Sequence, residues 1–341
     1  MNDRDSLLKF TTSSIYCPTA NVHIDPWTEV DYAIITHAHS DHATRGCKHY
    51  LAHKDSAAIL RLRLGEDISL QLVDYGEKIF INGVEMSLHS AGHVIGSAQI
   101  RVEQKGDVWV ASGDYKIEDD HFSKPFEVVK CNSFITESTF GLPVFKWRSQ
   151  SEVINEINEW WIQNKIQGKT SVLMGYALGK MQRLIKNLQP FSDPVFAHGA
   201  VFNVNERLRS AGFSLPYIPV VGDDIPRKMY QGALILAPPS SLNSSWLKRF
   251  DWYSIGYCSG WMAIRAAKNS RAIDRGFVLS DHADWNALNT VVNQTGAEKV
   301  YVTHGYSDVY ARWLNEQGIY AEKVNTNYGK EEEIITDGTL S

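Results

Sequence analysis

One stretch constrains this chain more than any other: Thr36-His37-Ala38-His39-Ser40-Asp41-His42, entered directly from the apolar run Tyr32-Ala33-Ile34-Ile35. Three histidines and one aspartate within six residues have no packing rationale. In extended backbone His37 and His39, two apart, project to the same side. Asp41 and His42 are expected where the chain turns toward a helix, so that one tight turn offers ligands to two neighbouring metal positions. Neutral imidazole and carboxylate suit Zn²⁺ or Mn²⁺.

Three further segments fit the same site. Ala91-Gly92-His93-Val94-Ile95-Gly96-Ser97 places His93 in a loop whose glycines allow close approach of backbone to a ligand. Ala111-Ser112-Gly113-Asp114 ends an apolar run on Asp114, and Val302-Thr303-His304-Gly305 ends another on His304. Each alone reads equally as a buried, hydrogen-bonded histidine or a capping aspartate. Together with the first motif they complete a two-metal set, and Asp114 can bridge through its two oxygens.

Composition narrows the class. The 341 residues are 43% hydrophobic and 21% charged, as in ordinary globular proteins, which excludes a disordered tail, a collagen-like rod and a coiled coil. At that length two or three domains are expected. No apolar run reaches the ~20 residues needed to span a bilayer, and the polar start, MNDRDSLLKFTTSS, lacks the core of a secretory signal. The expectation is a soluble, cytoplasmic protein with no membrane partner. The net charge of −5 means that nucleic acid would have to be met by a local basic patch or by metal ions. Cys17, Cys47, Cys131 and Cys258 are scattered without a CxxC pair, which suggests neither a thiolate zinc site nor a disulfide framework.

Short apolar runs alternate with helical stretches, which predicts an α/β architecture. Strands are expected over residues 32–36, 108–112, 171–174, 233–237, 277–280 and 299–303, and a helix over 151–167, capped by Ser151 and followed by Gly168. The ligand motifs fall in two blocks separated by a stretch with its own strand and helix alternation. One domain interrupted by another is therefore expected: residues 1–150 and 273–341 around an insertion at 151–272.

The order HxHxDH, GH, strand-end Asp and late His resembles the metallo-β-lactamase superfamily. The resemblance implies an αβ/βα sandwich with metals at the edge of its sheets. It implies that His37, His39 and His93 hold one ion, that Asp41, His42 and His304 hold the other, and that Asp114 bridges. Asp25, in Ile24-Asp25-Pro26-Trp27, matches the early aspartate that supports the metal-binding turn. Two more segments, Ile135-Thr136-Glu137-Ser138-Thr139-Phe140-Gly141 and Leu279-Ser280-Asp281-His282-Ala283-Asp284, resemble motifs of the β-CASP nucleases, with the intervening block as their inserted α/β cap. TESTFGLP at 136–143, YALGK at 176–180, APPS at 237–240, SGWM at 259–262 and FVLSDHADW at 277–285 are similar to the bacterial ligase-associated DNA exonucleases. That likeness covers nearly the whole chain and implies DNA end processing or repair, on single-stranded DNA or a free end, in functional association with an ATP-dependent DNA ligase. A histidine at the third β-CASP motif, His304, is more typical of RNA-processing members, so RNA stands as the alternative substrate.

The chemistry implied is two-metal phosphodiester hydrolysis with a bridging hydroxide, by two Zn²⁺ and/or Mn²⁺ ions roughly 3.5–4 Å apart. Asp41 and Asp114 would fix the metals, and His282, held by Glu137, would protonate the leaving oxygen. A purely structural lock between Glu137 and His282 is the competing reading. Substrate contacts are expected at Tyr115, Lys116, Lys180, Ser240, Arg265 and Arg271. The turn at 175–180 opens a helix and suits phosphate, though a generic strand-to-helix turn explains it equally. Arg265, Lys268, Arg271 and Arg275 carry four cations against Asp274, as a DNA-tracking segment or a solvated loop. Trp27, Tyr115, Phe140 and Trp285 are base-stacking candidates as well as core residues, and His198 is expected at a cap turn. A small thioester hydrolase and a catalytically dead nucleic-acid scaffold remain as readings of other classes. The cap-like insertion argues against the first, and the filled ligand set against the second.

Overall fold

The computed structural model describes residues 6–264 and 273–326 and divides into two compact units. One comprises residues up to Asp119, Ser123–Phe145 and those from His282 onward; the other comprises Asp120–Phe122 and Lys146–Asp281. Arg265, Lys268 and Arg271, candidate substrate contacts, lie outside the described residues.

The first unit carries two sheets. The six-stranded sheet runs in chain order: β1 (Lys9–Phe10), β2 (Ile15–Cys17), β3 (Val22–Ile24), β4 (Tyr32–Ile34), β5 (His49–His53) and β6 (Leu70–Val73). Its first two pairings are antiparallel and the remaining three parallel. Helix α1 (Ala57–Leu64) joins β5 to β6. The seven-stranded sheet is built from β7 (Ile79–Ile81), β8 (Val84–Ser90), β9 (Ala98–Gln104), β10 (Asp107–Ala111), β11 (Ser133–Glu137), β17 (Lys299–Thr303) and β18 (Tyr320–Lys323), in the order β18-β17-β11-β10-β9-β8-β7. The run β18-β17-β11-β10 is parallel and the rest is antiparallel.

Period-two alternation decides what each face of this sheet buries. Trp109, Ala111 and Ile135 face a core shared with Ile15, Ile24, Ile34 and Leu51 of the other sheet. Their chain neighbours Val110 and Phe134 face the opposite way, with Val300 and Val302, against Leu288 and Val291 of α5 (Trp285–Thr295) and Tyr310 and Leu314 of α6 (Ser307–Glu316). Each fully buried side chain of this kind contributes about 1.5–3 kcal/mol of transfer free energy. Asp284 caps α5 by accepting the Ala287 N–H (2.8 Å).

The second unit is a five-stranded, wholly parallel sheet ordered β13-β14-β12-β15-β16. Its strands are β12 (Thr170–Met174), β13 (Val195–Ala197), β14 (Leu234–Ala237), β15 (Tyr253–Cys258) and β16 (Arg275–Phe277), with helices α2 (Gln150–Ile166), α3 (Lys180–Leu188) and α4 (Gly199–Ser210). β12, β13 and β14 are buried along their whole length, as expected for parallel strands covered on both faces. Among the described residues no helix is long and apolar enough to cross a membrane.

Three local expectations need correction. Ser149, not Ser151, caps α2: its hydroxyl accepts the Glu152 N–H while Glu152 accepts the Ser149 N–H (3.0 Å), a reciprocal capping box. The strand expected over 277–280 is β16, displaced toward the N-terminus, because pairing with β15 engages Arg275–Phe277. No helix follows the 36–42 motif; a single turn, closed by the Ala43 N–H on the His39 carbonyl (3.0 Å), leads on toward β5.

Candidate metal centre

The histidine motif leaves the end of β4, and its geometry is set by a buried carboxylate. Asp25, just beyond β3, accepts the Thr36 N–H on Oδ1 (2.7 Å) and the Thr36 hydroxyl on Oδ2. The same Oδ2 lies 2.7 Å from Nδ1 of His42. Asp25 thus ties the first residue of the motif to the last and turns Nε2 of His42 away from itself. Thr36 Oγ1 also lies 3.0 Å from Nδ1 of His37, and Thr303 Oγ1 stands 2.9 Å from Nδ1 of His304. In each case a fixed Nδ1 leaves Nε2 for another partner, the arrangement that metal-ligating histidines use.

Those Nε2 atoms converge on Asp114. Its Oδ2 is 3.4 Å from His37, 3.5 Å from His42 and 3.8 Å from His93, and its Oδ1 is 4.0 Å from His304. His93 Nε2 lies 3.2 Å from His39 Nδ1, and His42 Nε2 lies 3.6 Å from Asp41. Ligand atoms of His37, His39, His93 and Asp114 fall within 4.8 Å of one another, and so do those of Asp41, His42 and His304. His37, His42, His93 and Asp114 are buried, whereas His39, Asp41 and His304 are half-buried and form the open side.

The loop bearing His93 needs its glycines for a reason other than the one read from sequence. A Cβ on Gly92 (φ +68°) would stand 2.2 Å from the Lys116 carbonyl oxygen, and one on Gly96 (φ +72°) would stand 2.3 Å from the Ser56 nitrogen. The close approach is to the protein's own backbone, not to a ligand.

Electrostatics follow the crowding. Burial pushes the His37 imidazole well below its ordinary pKa, with His42 adding to the effect, and pushes His304 down to about 4. Burial also opposes charge on His42, but Asp114 and Asp41 outweigh it and hold its pKa well above the ordinary value. Burial would raise Asp114, yet His42 and His282 keep its carboxyl well below the usual range. The site is a concentrated anionic and imidazole pocket. Among the described residues, His37 Nε2 and Asp114 Oδ1 are buried with no hydrogen-bond partner. Orphaned buried ligand atoms of this kind are costly unless a cation satisfies them, so the donor set fits a divalent metal.

Glu137, the last residue of β11, extends the cluster. Its Oε1 accepts the Tyr115 N–H (2.8 Å), and its Oε2 lies 2.9 Å from Nδ1 of His282. The Ala283 N–H donates to the Tyr115 carbonyl (2.7 Å), so one main-chain residue next to Asp114 braces both Glu137 and the His282 segment. The His282 ring centroid is 4.8 Å from that of His93. Burial raises the Glu137 carboxyl, and His282 pulls it back.

The expected substrate contacts fare differently. Tyr115 is wholly buried, its hydroxyl 3.0 Å from Thr136 Oγ1, so it is a packing residue and not a stacking surface. Lys116 is buried with its Nζ 3.2 Å from Glu118. Lys180, in the other unit, is buried with its Nζ 3.4 Å from Asp281. In the 175–180 turn, the Gly179 N–H is already taken by Gln182 Oε1 (2.7 Å), which weakens the phosphate reading. Ser240 is exposed in a short 3₁₀ turn, and Arg275 is exposed at the start of β16. Phe140 and Trp285 are core residues, and Trp27 is half-buried.

Sequence reading missed Thr36 as the hub of the turn and missed Arg183. Arg183, fully buried in the second unit, donates from Nε to Asp281 (3.2 Å) and from Nη1 to Gln150 (2.7 Å). Nothing in a lone helical arginine signals that role.

No family model matches the chain. It is 27% identical over 310 residues to a probable DNA ligase of Opitutus terrae, a match covering 90% of this chain and 30% of that protein. It is 27% identical over 139 residues to RNase aCSPSF2 of Saccharolobus solfataricus, covering 39% of this chain and 28% of the relative. It is 29% identical over 124 residues to endoribonuclease YSH1 of Saccharomyces cerevisiae, covering 36% and 16%. The chain thus spans under a third of the length of these curated relatives. A solved structure of a protein of unknown function from Enterococcus faecalis V583 shares the fold, with a TM-score of 0.59 at 10% identity over 89% of this chain and 81% of that one. The relatives bear out the resemblance to the β-CASP metallo-β-lactamase nucleases read from the motifs.

Proposed function

We propose that the protein is a metal-dependent phosphodiesterase that shortens DNA from an end, in DNA end processing or repair. In this reading the first unit is a metallo-β-lactamase αβ/βα sandwich, and the insertion near residues 151–272 is its β-CASP-like cap. The observation that carries the reading is the convergence of His37, His42, His93 and His304 on the single carboxylate of Asp114.

His37, His39 and His93 would hold one divalent ion, Zn²⁺ or Mn²⁺, and Asp41, His42 and His304 the other, with Asp114 shared. Asp25 supports the set through Thr36 and His42. When bound, such ions supply Lewis-acid charge to a phosphodiester and make water nucleophilic near neutral pH. The protein's own contribution is then proton delivery. His282, held through Nδ1 by Glu137, would give a proton from Nε2 to the oxygen that leaves phosphorus.

The long match to a protein named as a probable DNA ligase favours DNA and a functional association with a DNA ligase; in this reading that ligase is ATP-dependent and the protein is cytoplasmic. A second reading, an RNA nuclease, is favoured by the two relatives named as ribonucleases and by His304 at the third motif. End-labelled single-stranded DNA and RNA of one sequence, with Mn²⁺ or Zn²⁺ and an Asp114→Ala control, separate the two. Stepwise DNA shortening abolished by the substitution supports the first reading, and preferential RNA cleavage replaces it with the second. No cleavage of either overturns both.

A further inference from the structure

A cleft of about 470 Å³ lies in the first unit along β4, and its lining shares no residue with the histidine motif. Two cross-strand rows build it. The register pairs Tyr32 with His49 at the rim and Ile34 with Leu51 one step deeper. Residues two apart on a strand share a face, so each strand offers one aromatic ring outward and one aliphatic chain inward. Ile34 and Leu51 are buried in the core between the two sheets, and Ile81 and Asn82, from the β7–β8 hairpin of the other sheet, line the cleft with them.

The rim has the chemistry of a stacking platform. The Tyr32 and His49 rings lie 4.9 Å apart at 20°, and Tyr32 keeps 47% of its surface exposed. His49 Nδ1 is 2.9 Å from Ser69 Oγ, which steadies its ring. Gln71, exposed on β6 and paired with Leu51, also lines the cleft. None of the lining residues is Lys, Arg, Asp or Glu. The cleft therefore offers no Lys or Arg to pair with a phosphate, whereas an aromatic pair beside an aliphatic floor suits a flat, uncharged ring system with polar edges. The volume is in the range of small-molecule sites.

We propose that this cleft binds a neutral planar heteroaromatic group of nucleoside size, its ring extending the Tyr32–His49 stack and its edge toward Gln71 and Asn82. The site is separate from the metal centre and does not depend on the function proposed there. The group can arrive as a free nucleoside or as a base within a strand.

Ligand-observed NMR and calorimetry with adenosine, guanosine, cytidine and thymidine, and with a short single-stranded oligonucleotide, test it on the full chain. We expect nucleoside binding that Tyr32→Ala weakens about tenfold, the scale of one lost stacking contact, and that Gln71→Ala weakens less. Tyr32 is exposed, so the variant is expected to fold, which circular dichroism checks. Asp114→Asn, at the metal centre, should leave nucleoside binding unchanged. Equal affinity for nucleoside and oligonucleotide identifies a free ligand, whereas tighter oligonucleotide binding that is also lost in Tyr32→Ala identifies a strand base. Absence of binding at millimolar nucleoside and oligonucleotide, retention of binding in folded Tyr32→Ala, or its loss in Asp114→Asn overturns the proposal.

Discussion

Asp25 and His42 meet in the core of the first unit, carboxylate oxygen to Nδ1 at 2.7 Å, both side chains buried. The pair joins the end of one strand to the far end of the ligand turn, and it sets which nitrogen of His42 faces Asp114. Replacing Asp25 with Ala should therefore act on metal before it acts on anything else. Divalent affinity is expected to fall roughly 10–100-fold, the usual effect of losing such an outer partner. Stability should fall by about 1–3 kcal/mol for the Thr36 N–H left without its acceptor. Metal content after dialysis and thermal unfolding read the two effects separately; unchanged affinity removes Asp25 from the support of the site.

Glu137 and His282 make the opposite prediction. His282→Ala should lower turnover by roughly 10²–10⁴-fold, the contribution of a positioned proton donor, with bound metal unchanged. Glu137→Gln keeps the shape but loses the charge that orients the imidazole, and it should lower turnover by a smaller factor and shift the pH profile. Loss of metal in His282→Ala would make that residue a ligand instead of an acid.

Gly92 should tolerate no side chain. At φ +68° a Cβ would meet the Lys116 carbonyl oxygen at 2.2 Å, so both conformation and contact oppose Gly92→Ala. The cost is expected to be on the order of 3 kcal/mol or more. Gly106→Ala is the control: φ is +83° but nothing lies within 4 Å, so only the backbone cost of about 1–2 kcal/mol applies. Chemical denaturation of the two variants, side by side, measures the difference.

His198 supplies a pH prediction away from the metal site. As the N-cap of α4 it accepts the Ala200 N–H on Nδ1 (3.0 Å), and burial lowers its pKa. The unfolded chain takes up this proton near the ordinary value of about 6.5 and the folded chain only at lower pH. The contribution of the neutral cap is therefore complete above that value and is lost as pH falls through it toward the folded pKa. His198→Asn keeps an acceptor at the cap and removes the titration. Its unfolding free energy should fall less between pH 7 and pH 5.5 than that of the parent chain; an identical slope would refute the linkage.

Much of the site was legible because the chemistry is local. His37, His39, Asp41 and His42 sit in one turn, and no core packing explains their types. His93, Asp114, Glu137, His282 and His304 were read from short motifs at or just beyond apolar runs, where buried strands release their side chains. Tyr115, Lys116 and Lys180 misled for the same reason: each adjoins a motif, and adjacency in sequence does not give exposure. Tyr115, beyond the end of β10, packs into the core with Phe134, Lys116 is buried beside a partly exposed Glu118, and Lys180 is held in a buried pair with Asp281.

The sequence by itself determined the ligand types, the α/β alternation and the places where strands end, since these follow from residue chemistry and periods of a few residues. Tertiary structure alone decided that Asp25 faces Nδ1 of His42, that Asp114 is shared by four histidines, and that Tyr32 and His49 stack at the far end of β4. Those relations join segments that are remote in the chain, and strand order and register, fixed by the burial of whole sheet faces, set their distances.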